Sequence, residues 1–377
     1  MPTRKELLDA AARLHEHLLG HFDRGRLHGP DPGVRFNLRV WRFLKSFLGF
    51  IPWKDDYVFM QAQGYWVLAN WMLHGATDER RYREIAIETT EATLKFQTAE
   101  GFWAYPLPER RHLIAALESV WGGTVLLASY GREARREFLS GAIRAYDFLV
   151  DRLGFQNHTR GKAINYFDQP RGKVPNNSVA ALWYFIRLHK ATGDHRYLEH
   201  VDGLLDFLAT VQLSSGELPY VVGSPYEKAR AHYLCYQYNA FQFLQVAWAA
   251  ALQPDQRARS ILTQLARFLE KGVRPTGACA VDCIEIRGVP EVDYYTAALG
   301  AALWEAARLG LVESTEPSEQ CYARVLARQR PDGSFGFSMG DYGLLRDRRS
   351  YPRAQAMTLF HLLYPYCGNG FSNAAES

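Results

Sequence analysis

The first residues to weigh are those able to exchange a proton. Glu118 in ALESVWGG and Asp293 in EVDYYTAAL each open an apolar run with helical spacing, and Tyr294 follows Asp293 directly. Acid–base chemistry needs two carboxylates, or a carboxylate with His or Tyr, facing one pocket. Asp293, Glu118 and Tyr294 are therefore the catalytic candidates. Asp168, Asp282, Glu285 and Asp341 are further carboxylates in intervening segments, and no spacing marks a single pair among them. His232 precedes another apolar run and offers an acid, a base or a ligand; a solvated loop histidine is the plainer alternative.

Around these lie polar and aromatic residues at or near other helix starts: Trp66, Trp121, Asn176, Asn177, Tyr236, Gln237, Asn239, Tyr351, Arg353 and Gln355. Polar groups converging above an apolar floor make a small-molecule site. Helix capping competes with that reading for Asn176, Asn177 and Asp293, and explains Gln237, Gln355 and Glu118 less well. Arg353 follows Pro352, a residue suited to a first helical turn. Its planar fork matches a substrate carboxylate or phosphate, unless it pairs with Asp341 or Asp347 in the preceding loop. Cys279, Asp282 and Cys283 with the distant His232 have the chemistry of metal ligands, but no second closely spaced pair accompanies them. The expectation is no metal, no cofactor and no structural disulfide. Phosphate-binding loops after strands, nucleophile elbows and zinc-protease motifs are absent from the sequence.

These candidates need elements to hold them, and an internal repeat supplies the pattern. KFQTAEGFWAYP, TVQLSSGELPYV and ARQRPDGSFGFS share a helix end, a glutamine and a Gly-aromatic turn. Their glutamines, Gln97, Gln212 and Gln329, are about 116 residues apart, twice a period of about 58. Weaker copies fall halfway, at GFQNHTRGKAINYF and EKGVRPTGACAVDC. Each unit reads as helix, short turn, helix, Gln-Gly turn, long loop. The expected fold is all-α, an (α/α)6-type toroid spanning 1–377 as one domain. A helix at about 4–20 would close the ring, an insertion would occupy about 21–58, and 368–377 would form a short tail. The long loops, all between the second helix of one hairpin and the first of the next, should gather at one end, where function concentrates.

Composition agrees with one large core. The chain has 377 residues, 47% hydrophobic and 14% aromatic, with a formal charge of +4 and no basic stripe, which argues against nucleic acid. No stretch is apolar enough for a membrane span. The odd cysteine count and the charged N-terminal helix point to a reducing cytoplasm. Oligomeric state is not legible.

The Gln-Gly-aromatic segments QRPDGSFGFS and QTAEGFWAYP resemble the repeats of terpenoid cyclases and protein prenyltransferase β-subunits. Hairpin toroids of this sort also serve glycoside hydrolases, polysaccharide lyases and sugar epimerases. The resemblance implies the toroid and little chemistry. The Asp-x-Asp-Asp acid of the class II cyclases is missing, as are the class I Asp-rich metal motifs. HYLCYQYNAF is similar to the prenyltransferase Asp-x-Cys segment, with Cys235 matching the thiolate but Tyr233 where the aspartate belongs. In DYYTAAL, Tyr295 or Thr296 takes the place of the zinc-binding histidine.

Three classes stay open. The leading expectation is a carbohydrate-directed hydrolase, lyase or epimerase with a small-molecule or oligosaccharide substrate. The alternatives are an isoprenoid cyclase or prenyltransferase-like enzyme, and a non-catalytic ring that binds or scaffolds.

Overall fold

In a computed structural model, residues 2–31, 44, 47, 48, 50–169, 171–283, 291–337, 340–341 and 345–367 are described. Among them twelve α-helices follow in order. They are α1 (Arg4–Leu19), α2 (Met60–Thr77), α3 (Arg80–Lys95), α4 (Ala116–Glu133), α5 (Arg136–Asp147) and α6 (Pro175–Thr192). Then come α7 (Val201–Val211), α8 (Cys235–Leu252), α9 (Gln256–Glu270), α10 (Asp293–Arg308), α11 (Glu316–Leu326) and α12 (Pro352–Cys367). Strands are confined to three short antiparallel pairs in the loops. The fold is the all-α toroid of helical hairpins.

Two kinds of helix build it. The even-numbered helices are buried almost all round; α2 buries every residue from Ala62 to Leu73. Such helices belong inside. The others carry one apolar stripe: α9 buries Ala258, Ile261, Leu262, Leu265, Ala266, Phe268 and Leu269 and exposes its opposite face. Packing follows. α2 lies against α4, α4 against α6, α6 against α8, α8 against α10, α10 against α12, and α12 returns to α2, forming a closed inner barrel. The outer helices α3, α5, α9 and α11 each pack on the inner helix that precedes them, and α1 packs on α12.

Three Gln-Gly turns fasten the outer helices α3, α7 and α11 to the next hairpin or to α1. Gln97 Nε2 donates to the Gly101 carbonyl and to Gly141 O in α5, at 2.9 and 2.8 Å. Gln212 does the same with Gly216 and Ile261 in α9. Gln329 binds Gly333 and Ala10, so α1 stands to α11 as α5 stands to α3. The equivalence extends to a basic residue: Arg144 Nη2 donates to Gln97 Oε1 at 2.6 Å, and Arg13 Nη2 to Gln329 Oε1 at 2.5 Å.

Inner-to-outer turns are tight. α2 ends in left-handed Asp78 two residues before α3, and α4 in left-handed Ala134 two residues before α5. The connections from outer helix to next inner helix are long. They share the end of the barrel where the inner helices begin, and the large cavity lies there.

Candidate functional site

That cavity has a volume of about 670 Å³. Gln61, Glu118, Asn176, Asn177, Gln237, Tyr294 and Arg353 reach it from the first turns of all six inner helices. The loops add Tyr105, Arg110 and His112 before α4, Tyr166, Phe167, Gln169 and Arg171 before α6, and Tyr220 and Glu227 before α8. Phe241 and Met357, a turn deeper in α8 and α12, supply apolar floor.

Glu118 is the buried acid of this cavity, 4% exposed. It sits in the first turn of α4, and its Oε2 accepts from the Met60 backbone N–H, at the start of α2, at 2.8 Å. Burial raises its pKa to about 7; the Met60 hydrogen bond and the Arg353 charge oppose the rise, and Asp31 adds to it. A carboxyl group so placed gives up and recovers a proton near neutrality. The phenols beside it stay neutral. Burial lifts Tyr294 to about 12 and raises Tyr105, and Tyr166 and Tyr238 move the same way for the same reason.

Arg353 is held by a partner in neither position the sequence offered. Its Nε and Nη2 donate to Asp31 Oδ2 and Oδ1 at 2.7 and 2.8 Å, and Asp31 is 1% exposed. The guanidinium lies 4.3 Å over the Phe59 ring, and Nη1 contacts Gln61 Oε1 at 3.4 Å. The fork is therefore filled by the protein, and Nη1 is the part left toward the cavity. Asp347 instead accepts from Tyr351 Oη at 2.5 Å and from the Arg349 backbone.

Two amides face the cavity unsatisfied. Both side-chain polar atoms of Asn177 and Oε1 of Gln237 are buried without a hydrogen-bond partner among the described residues. Buried polar groups are rarely left so, and hydroxyl groups of a ligand would complete them. Around them Tyr105 and Tyr166 meet Phe167 edge-on, and Tyr220 lies 5.2 Å from Tyr238. Arg110 and Arg171 line the same cavity with no ion pair among the described residues.

Several sequence candidates lie elsewhere. Asp293 starts an inner helix, but its carboxylate pairs with Arg328, burial raises its pKa to about 6, and it does not line the cavity. Asn239 and Gln355 turn sideways. Asn239 grips the Leu218 backbone N–H and carbonyl, and Gln355 those of Phe335. Gln63 treats Leu27 likewise, so this position in the helix pins the incoming loop, neither capping nor binding. Tyr236 stacks on Phe268, Tyr351 is buried beside Trp53 and Phe337, Trp66 stacks on His15, and Trp121 packs on Tyr65. His232 is with Glu217 and Cys283. Of the loop carboxylates, Asp168 accepts from the Ile114 backbone, Asp282 lies beside Cys235, and Glu285 is outside the described residues. Sequence reasoning named none of Tyr105, Tyr166, Tyr238, Glu227, Arg110, Arg171 and Asp31; the aromatic and basic content of the long loops was the signal that pointed to most of them.

No helix in the described residues is both long and apolar enough to cross a membrane. No protein-family profile matches the chain, and no curated protein matches its sequence. Solved structures do match the fold. Cellobiose 2-epimerase from Bacillus thermoamylovorans superposes with a TM-score of 0.75 at 13% identity, covering 96% of this chain and 99% of that one. A possible member of glycoside hydrolase family 105 from Salmonella enterica gives 0.71 at 14%, covering 98% and 95%. A polysaccharide lyase gives 0.68 at 12%, covering 96% and 97%. These neighbours are α/α-toroid carbohydrate-active enzymes, and at such identity the likeness is one of fold.

Proposed function

We propose that the chain is a carbohydrate-directed enzyme in which Glu118 exchanges a proton with a sugar bound at the inner-helix starts. The observation that carries this is a protonatable, buried Glu118 in the same cavity as the unpartnered amides of Asn177 and Gln237. Sugars present hydroxyls in fixed directions and apolar faces between them. Amides suit the hydroxyls, and the rings of Tyr105, Tyr166 and Tyr238 suit the faces. Neutral phenols donate without competing for the proton. Arg110 and Arg171 at the same cavity favour a sugar bearing a carboxylate.

Glu118, with Tyr294 beside the same cavity, is the catalytic choice, and Asp293 is set aside because Arg328 holds it. Asn176, Asn177, Gln237 and Arg353 are the binding choices retained from helix starts. Hydrolysis, elimination and epimerisation at a sugar all require a group that carries a proton to or from oxygen or carbon, so this step belongs to each. An isoprenoid substrate fits less well, because a buried acid, two open amides and three arginines line the cavity.

The test is a panel of neutral and uronic-acid oligosaccharides, scored by thermal shift and by chromatography of products. The expected result is stabilisation and turnover by at least one uronic-acid member, with neutral analogues weaker. Prenyl diphosphates stabilising the protein while every carbohydrate fails would overturn the reading.

A further inference from the structure

We infer a zinc site made by Cys235, Cys283, His232 and Glu217, on the flank of α8 and separate from the cavity residues. The four come from distinct segments: Glu217 follows the Gln-Gly turn after α7, His232 lies in the loop before α8, Cys235 is the first residue of α8, and Cys283 lies in the loop after α9. One ligand atom from each lies within 4.8 Å of every other. Cys235 Sγ and Cys283 Sγ are 2.6 Å apart, His232 Nδ1 is 3.2 Å from Cys283 Sγ, and Glu217 Oε2 is 3.6 Å from it.

Glu217 is the second, independent sign. It is 1% exposed, and its Oε1 has no hydrogen bond among the described residues. His232 Nδ1 approaches that oxygen to 2.5 Å without hydrogen-bonding geometry. A buried carboxylate needs a cation, and four ligand atoms from four segments converge on one point, as the ligands of one ion do. Two thiolates, one imidazole and one carboxylate are the soft-to-borderline set that selects tetrahedral zinc. Four protein ligands close the coordination sphere, as in structural sites. On binding, the two thiols release their protons, and His232 donates the lone pair of neutral Nδ1. Asp282 Oδ1, 2.8 Å from Cys235 Sγ and 3.4 Å from Cys283 Sγ, accepts from both thiols before the metal enters.

A disulfide would occupy only the two sulfurs and leave the converging Glu217 and His232 without a part in it. The ion instead ties the loops before and after the α8–α9 hairpin to the start of α8. Gln237 and Tyr238, two and three residues beyond Cys235, reach the cavity from that start. The sequence pattern misled here because it pairs Cys279 with Cys283. Cys279 is fully buried, its thiol facing the Ala280 carbonyl, and Cys235 takes its place.

The test is elemental analysis of the intact wild-type chain, purified without added metal or chelator, with a free-thiol count on the same sample. About one zinc per chain is expected. Cobalt substitution should give an intense tetrahedral visible spectrum with a thiolate charge-transfer band. Cys235→Ser and Cys283→Ser should each lose the zinc, and Cys367→Ser should keep it. Absence of metal from the wild type, or three free thiols with a mass two hydrogens short, would overturn the assignment. The wild-type measurements stand even where a cysteine variant does not fold.

Discussion

Gln329 Nε2 donates to the Ala10 carbonyl at 2.8 Å, joining positions 319 residues apart in sequence. The bond ties the last complete hairpin to the N-terminal helix. Beside it Gly333 has φ +81, and a Cβ there would come within 2.3 Å of the Arg13 carbonyl. Both the backbone conformation and the approach demand glycine. Gly333→Ala should therefore cost about 2–4 kcal/mol in denaturant unfolding, through strain and overpacking. A variant as stable as wild type would mean that α1 is not seated at this turn.

Asp31 and Arg353 form a bidentate pair with Asp31 fully buried, so removing the arginine takes two charge-assisted hydrogen bonds from a buried carboxylate. Arg353→Met should lose about 3–5 kcal/mol, and Asp31→Asn combined with Arg353→Met should recover much of it. A double-mutant cycle by chemical denaturation measures the coupling. Additive losses would show that the pair contributes nothing specific. The exposed ion pair that the sequence offered as the alternative for Arg353 would have cost far less.

The architecture was legible because it repeats. Five copies of one unit average out local ambiguity, and the difference between tight turns and long loops fixes which end carries the cavity. The site was legible only to the level of helix starts. One residue along a helix rotates a side chain by about 100°. Gln237 therefore faces the cavity while Tyr236 beside it stacks outward on Phe268, and Asn239 grips a loop. Asp293 and Tyr294 divide in the same way. Asp31 could not be read at all, and of the Glu217–Cys283 grouping only Cys283 and His232 were, since the partners are brought together only by ring closure and loop folding.

The unsatisfied amides give a binding prediction. Asn177→Ala and Gln237→Ala should each weaken a carbohydrate ligand about 5- to 30-fold, the loss of one or two hydrogen bonds, and change the melting temperature little. Isothermal titration with the best oligosaccharide from the panel decides it. Unchanged affinity in both variants would remove the helix starts from the binding site.

Glu118 also makes stability depend on pH. Its folded pKa of about 7 lies above the ordinary value of 4.5, so the folded state holds the proton more tightly than the unfolded chain. Its contribution is complete below about pH 4.5 and is lost as pH rises through about 7. Glu118→Gln keeps an acceptor for Met60 and removes the titration. Relative to this variant, wild type should lose about 3 kcal/mol between pH 4.5 and 8. A difference that stays flat across that range would mean that Glu118 is not perturbed.

The central claim is that Glu118 carries the proton in turnover of a bound sugar. It is tested most directly by comparing wild type and Glu118→Gln on the carbohydrate substrate, with kcat and binding measured across pH 5 to 9. Wild-type kcat should show a limb near pH 7, set by Glu118. Glu118→Gln should bind the substrate with similar affinity, lose about 10²- to 10⁴-fold in kcat, and lose that limb. A variant that turns over at the wild-type rate with the limb intact would contradict the account.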